Sequence, residues 1–98
     1  MPRLVVRAKA ELEIAAAIDW YQKPNATKAR EFVAEIDRTL IAIRENPYQY
    51  QAIEGEIRRV VMQSFPYWII YLASTSDVVV VLCFHTSRDP AAWRKRIR

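Results

Sequence analysis

The spacing of apolar residues changes along the chain and divides it into segments. Leu4, Val5 and Val6 form a short β-branched run between Arg3 and Arg7, too brief for a helix and suited to one strand. From Ala8 the period lengthens. Ala10, Ile14, Ala17, Ile18 and Tyr21 fall at i, i+4, i+7, i+8 and i+11, one stripe of a helix over residues 8–22, with Glu11 and Glu13 near its positive N-terminal end. Pro24 cannot continue that helix as an interior residue, and Asn25 offers a side-chain oxygen to cap the next. In the second helix Ala29, Phe32, Val33, Ile36, Leu40 and Ile43 make the stripe. Lys28, Arg30, Glu31, Glu35, Asp37 and Arg38 occupy its other faces, and Pro47 ends it after Asn46. Two amphipathic helices joined by about three residues lie antiparallel as a hairpin, with their apolar faces against a further layer.

That layer is predicted from the second half. After the polar stretch from Tyr48 to Glu56 come three β-rich runs, Ile57 to Gln63, Trp68 to Ala73 and Val78 to His85, separated by hairpin-length connections. The third run does not alternate apolar and polar residues, so it should be covered on both faces and sit centrally. Asp89-Pro90 reads as an N-cap followed by proline at the first helical position, starting a short helix through Trp93 to Arg96. The expected fold is α+β in the order β-α-α-β-β-β: an N-terminal strand and an antiparallel αα-hairpin packed on a twisted, mainly antiparallel four-stranded sheet, with a short C-terminal helix.

At 98 residues this is one domain, residues 1–98, and 52% hydrophobic residues suffice to bury a core. The scarce residues exclude the most. One glycine (Gly55), one cysteine (Cys83) and one histidine (His85) rule out Gly-rich phosphate loops, Cys/His zinc sites and an internal disulfide, so no cofactor or metal is expected. Cys83, in a hydrophobic run, reads as a small core residue of a reducing compartment. Charge interrupts the start of the chain before any secretory signal develops, and the longest apolar run, Val78 to Phe84, is far short of the roughly 20 residues a membrane-spanning helix needs; a cytoplasmic protein is expected. The net charge is +4 and unevenly placed: residues 1–55 hold eight basic and eight acidic side chains, residues 56–98 seven basic and three acidic. Arg94, Lys95, Arg96 and Arg98 supply four of the seven, a patch suited to nucleic acid or an acidic partner.

Several residue groups now converge. Phe65-Pro66-Tyr67 followed by Ile69-Ile70-Tyr71, and a β-run ending in His85-Thr86-Ser87-Arg88-Asp89-Pro90 with Trp93 three residues on, resemble the RelE/ParE toxin superfamily of bacterial toxin-antitoxin systems. So do Trp20-Tyr21 closing the first helix, Ala29 and Phe32 opening the second, its Asn46-Pro47 exit, and Ile57-Arg58-Arg59 opening the meander. The pattern, running from about Ala10 to Trp93, is similar to the ParE, or plasmid-stabilisation, branch. The resemblance implies a growth-inhibiting toxin of a type II system, neutralised by a ParD-like or similar antitoxin in a toxin-antitoxin hetero-oligomer. Two activities occur in the superfamily, poisoning of DNA gyrase and cleavage of mRNA on the ribosome, and a shared fold cannot decide between them.

The side chains bear on that choice. Metal-free RNA cleavage needs a base, cations for the phosphate and an acid for the leaving oxygen, for which the candidates are Arg59, His85 and Lys95. The RNase branch resembles a basic cluster followed by a C-terminal Tyr or His; here only Arg94-Lys95-Arg96-Ile97-Arg98 follows Trp93. The gyrase reading is therefore preferred, with no catalytic residue favoured and Arg59, Arg88, Arg94, Lys95, Arg96 and Arg98 as target-binding candidates. His85 reads as a histidine bonded to the following loop, Arg88-Asp89 as a local ion pair with Asp89 capping the last helix, and Trp93 as its anchor on the sheet. Arg58 and Arg59 point to opposite sheet faces. For the antitoxin, Trp20, Tyr21, Ile41 and Tyr48 are candidates, being apolar residues off, or at the end of, the helical stripes. A weakly toxic antitoxin-binding module is the third reading.

Overall fold

The structure is a computed structural model that describes residues 2–97. In chain order the elements are β1 (Arg3–Val6), α1 (Ala8–Gln22), α2 (Ala26–Glu45), β2 (Ala52–Glu54), β3 (Ile57–Val61), β4 (Tyr67–Ala73), β5 (Asp77–His85) and α3 (Ala92–Ile97). The strands form one sheet in the order β1-β5-β4-β3-β2. β1 runs parallel to β5, with Leu4 opposite Val78, and the other pairings are antiparallel. The α+β order is as predicted, but the sheet has five strands rather than four. The added strand, β2, is Ala52-Ile53-Glu54, too short to show a period of two. Gly55 supplies the left-handed turn (φ +53°) that folds β2 onto β3.

Each helix is fixed at its start. Asn25 Oδ1 accepts from the backbone N–H groups of Thr27 (3.0 Å) and Lys28 (3.3 Å), capping α2. α1 has no side-chain cap; instead Arg7 N–H donates to Val80 O at 2.9 Å, which ties its first turn to β5. On the helix-covered face of the sheet, Phe32, Ile36 and Ile43 of α2 and Ala10 and Ala17 of α1 pack on Val60, Ile69, Tyr71, Val80 and Cys83. On the opposite face Ile70, Val81, Leu82 and Phe84 lie with Trp93 of α3. β5 is thus buried on both sides, the reason its sequence does not alternate.

Two local expectations shift. The buried stripe of α2 is rotated from the predicted one: Val33 is 37% exposed, whereas Glu35 and Thr39 are buried. The Glu35 carboxylate accepts from Gln63 N–H (2.8 Å) and Ser64 N–H (3.3 Å), so a carboxylate from α2 satisfies the chain as it leaves β3. The last helix begins at Ala92, two residues after Pro90. Asp89 accepts from Ala91 N–H through Oδ1 (3.0 Å) and from Ala92 N–H through its carbonyl (2.9 Å), a turn that leads into α3. Among the described residues no helix is long and apolar enough to cross a membrane.

Candidate functional site

The C-terminal end of β5 is where three elements meet. β1 stops opposite Val80, so beyond that point β5 has no strand on that side. α1 takes the strand's place: Glu13 Oε1 accepts from Cys83 N–H at 3.1 Å. Arg96 of α3 reaches the same carboxylate from the other direction and pairs with Glu13 Oε2. Both side chains are mostly buried, and Arg96 Nη2 is buried without a hydrogen-bond partner. Burial, then the Glu13 charge, pushes the Cys83 thiol up to about 12. It is a neutral core group, as its hydrophobic run suggested.

His85 sits one turn of chain later. Its ring meets Tyr67 edge-on at 4.9 Å, and Nδ1 accepts from Ser87 N–H at 3.0 Å. That contact and the nearby Ser87 hydroxyl hold the imidazole against the loop that follows it. The bond to the following loop is the one predicted. Tyr67 continues inward to Phe32, Phe65 and Tyr21, with ring centroids 5.0–5.5 Å apart. Burial raises the Tyr67 phenol above its ordinary range, with Tyr21 and Cys83 adding to the shift and Arg88 opposing it. Phe65 is the buried anchor of the β3–β4 corner.

Two shallow cavities of about 260 and 250 Å³ lie along the outer side of α1. They share Glu13, Ala16 and Arg88 and so form one groove, running from Lys9 and Leu12 at one end to Trp20, Tyr67 and His85 at the other. A separate apolar groove of about 420 Å³ lies between α2 and β1, lined by Leu4, Leu40 and Ile41.

The predicted target-binding residues do not form one patch. Arg59 lies on the sheet face away from α1 and α2, opposite Ile70; its guanidinium stacks 4.5 Å from the Trp68 ring and donates to Gln51 Oε1 at 2.9 Å. Its neighbour Arg58 points the other way and donates to Tyr50 O at 2.7 Å. Arg94 pairs with Glu54 at 3.3 Å and stacks on Trp93, while Arg96 is held by Glu13. Arg88 and Lys95 are exposed, and neither has an ion pair among the described residues, the expected Arg88–Asp89 pair included. Arg98 lies outside the described residues. His85, paired with Tyr67, is on the helix-covered face, so Arg59 and His85 stand on opposite sides of the sheet.

The antitoxin candidates are also dispersed. Trp20 is exposed at the end of the α1 groove, Ile41 is exposed in the α2–β1 groove, and Tyr48 lies under the Arg58 guanidinium at 5.1 Å. Tyr21 belongs to the aromatic cluster. Lys9, Leu12 and Glu13 were not singled out for this site by the sequence reading. The spacing of Leu12, Ala16 and Trp20 at i, i+4 and i+8 was a second stripe that could have pointed to them. Among the described residues no three His, Cys, Asp or Glu side chains gather where a metal ion could be held.

Comparison with known proteins places this geometry. No curated protein matches the chain. Among solved structures, a chain described as the chromosomal ParDE TA system from P. aeruginosa shares the fold at a TM-score of 0.75 and 16% sequence identity, over 87% of this chain and 96% of that one. The family model for the ParE toxin of the type II toxin-antitoxin system parDE matches residues 4–90, nearly the whole sequence, and the chain therefore belongs to the ParE toxin family.

Proposed function

We propose that this type II toxin arrests bacterial growth by poisoning DNA gyrase in the cytoplasm, and that a cognate antitoxin neutralises it. The mode is stabilisation of a DNA-cleaved gyrase state by binding, with no reaction catalysed by the toxin itself. The observation that carries this over mRNA cleavage is the separation of Arg59 from His85 by the thickness of the sheet. A base and the cation that stabilises the charge it helps create must converge within a few ångström of one phosphate. Here Arg59 and His85 face opposite ways, and although Arg88 lines the His85 cavity, the Nδ1 atom of His85 is already engaged by Ser87 N–H.

Of the basic residues, Arg88 and Lys95 are best placed to meet the target, because Arg59, Arg94 and Arg96 are held by Gln51, Glu54 and Glu13. Purified toxin with gyrase is expected to accumulate linear, cleaved DNA, while a translating-ribosome assay run beside it leaves mRNA intact. Cut mRNA with unaffected supercoiling overturns the reading. Reversing both charges, Arg88→Glu with Lys95→Glu, should weaken gyrase inhibition at least about tenfold and reduce its salt dependence.

A further inference from the structure

The groove between α2 and β1 sets charge of both signs around an apolar centre. Ile41 is 58% exposed on α2, Leu40 is half-buried beside it, and Leu4 of β1 lines the groove with them. β1 is an edge strand, so the apolar surface continues from the helix to the margin of the sheet. Asp37 and Arg44 stand on either side of this centre, two helical turns or about 10 Å apart on one face of α2. Asp37 has no ion pair among the described residues. Arg44 has a contact within the chain, and a guanidinium with five N–H donors can take a carboxylate in addition.

A single exposed isoleucine is ordinary. What distinguishes this face is that it is complementary to itself. A twofold axis crossing α2 between Leu40 and Ile41 reverses the helix, lays Leu40 against the Ile41 of a second copy, and brings each Asp37 toward the other copy's Arg44.

We propose that the chain forms a symmetric homodimer through α2, with Leu40 and Ile41 at the apolar centre and two Asp37–Arg44 ion pairs across the axis. The inference goes beyond the toxin reading and does not depend on which target the toxin meets. A second copy fits better than an acidic polypeptide or nucleic acid, because the groove offers those partners one guanidinium against the carboxylates of Asp37 and Glu45. One helix face and a strand margin make an interface at the small end of the range, so the dimer dissociates on dilution through micromolar concentrations.

Sedimentation equilibrium of the full chain, free of antitoxin, tests this. The mass should climb from 11.5 kDa toward twice that value as concentration rises. Ile41→Glu should weaken association at least about tenfold. Val61→Glu, an exposed change on the other sheet face, should leave it within about twofold. The decisive variants exchange charge. Asp37→Arg and Arg44→Asp each set like charges across the axis and should each weaken self-association about tenfold. Mixed together, with one of them carrying a fluorescent label, they restore opposite charges at both pairs and should associate as strongly as the wild type, which a misfolded variant would not do. A wild type that stays monomeric throughout overturns the inference. So does association that survives Ile41→Glu, or a failure of the two charge variants to pair. A monomeric wild type in which Ile41→Glu instead weakens antitoxin binding assigns the face to the antitoxin and likewise overturns it.

Discussion

Glu13 begins as an acidic residue in the second turn of α1 and serves as the substitute for a missing strand. Its carboxylate satisfies Cys83 N–H where β1 has ended and holds Arg96 of α3. Glu13→Gln should cost about 2 kcal/mol of stability, since it leaves a buried guanidinium without its counter-ion. Denaturant unfolding measures the cost, and hydrogen exchange should show α3 opening first. None of this was legible in the sequence, because the partners lie 70 and 83 residues away and a charge on a helix reads as a solvated one. Cys83 was legible as a core thiol, and its consequence is a pH effect. Unfolded, the Cys83 thiol and the Tyr71 phenol ionise near 9.0 and 10.0; folded, burial holds both protons to about 12. Across that window the folded chain binds more protons than the unfolded one, so stability is fully present below it and falls as pH rises through it. The thermal midpoint should decline from about pH 9 upward, and native protein at neutral pH should resist thiol alkylation.

The two long helices were readable because each carries a sustained period, and four of the five strands because each is a β-rich run bounded by charged or turn residues. α1 spans the predicted residues 8–22, and α2 starts after its predicted cap. β2 was not readable, since three residues are too few to hold a periodicity. The orientation of α2 was only half readable. Its moment pointed to the right side of the helix, but Glu35 turned inward because the backbone at Gln63 and Ser64 needed an acceptor. Within α2, Phe32 carries the most packing, being fully buried and in ring contact with Tyr21, Phe65 and Tyr67. Phe32→Ala should cost about 3–5 kcal/mol, a large share of the stability of a domain this size, and lower the thermal midpoint accordingly.

Across the whole molecule, folding redistributes the charge that the linear sequence concentrates. Arg94, Lys95 and Arg96 are adjacent in the chain, yet one pairs with Glu54 of β2, one faces solvent and one is drawn to Glu13 of α1. The basic run was legible; its dispersal was not, because the acids that divide it come from elements far away in sequence. The pairing of β1 with β5 is equally non-local. Arg3 bonds to Asp77, 74 residues on, and the strand between β1 and β4 is among the last to be made. A chain ending at Thr75 should therefore show helical circular dichroism without a cooperative thermal transition. The same feature sets a clock during synthesis. At about 5–20 residues per second, β1 waits about 4–15 s for its partner to be translated. The helices form from local contacts long before and hold Phe32, Ile36 and Ile43 with no sheet to cover. A nascent chain therefore lacks its central pairing until β5 has been translated, and for those seconds its helices expose the apolar faces that the sheet later covers.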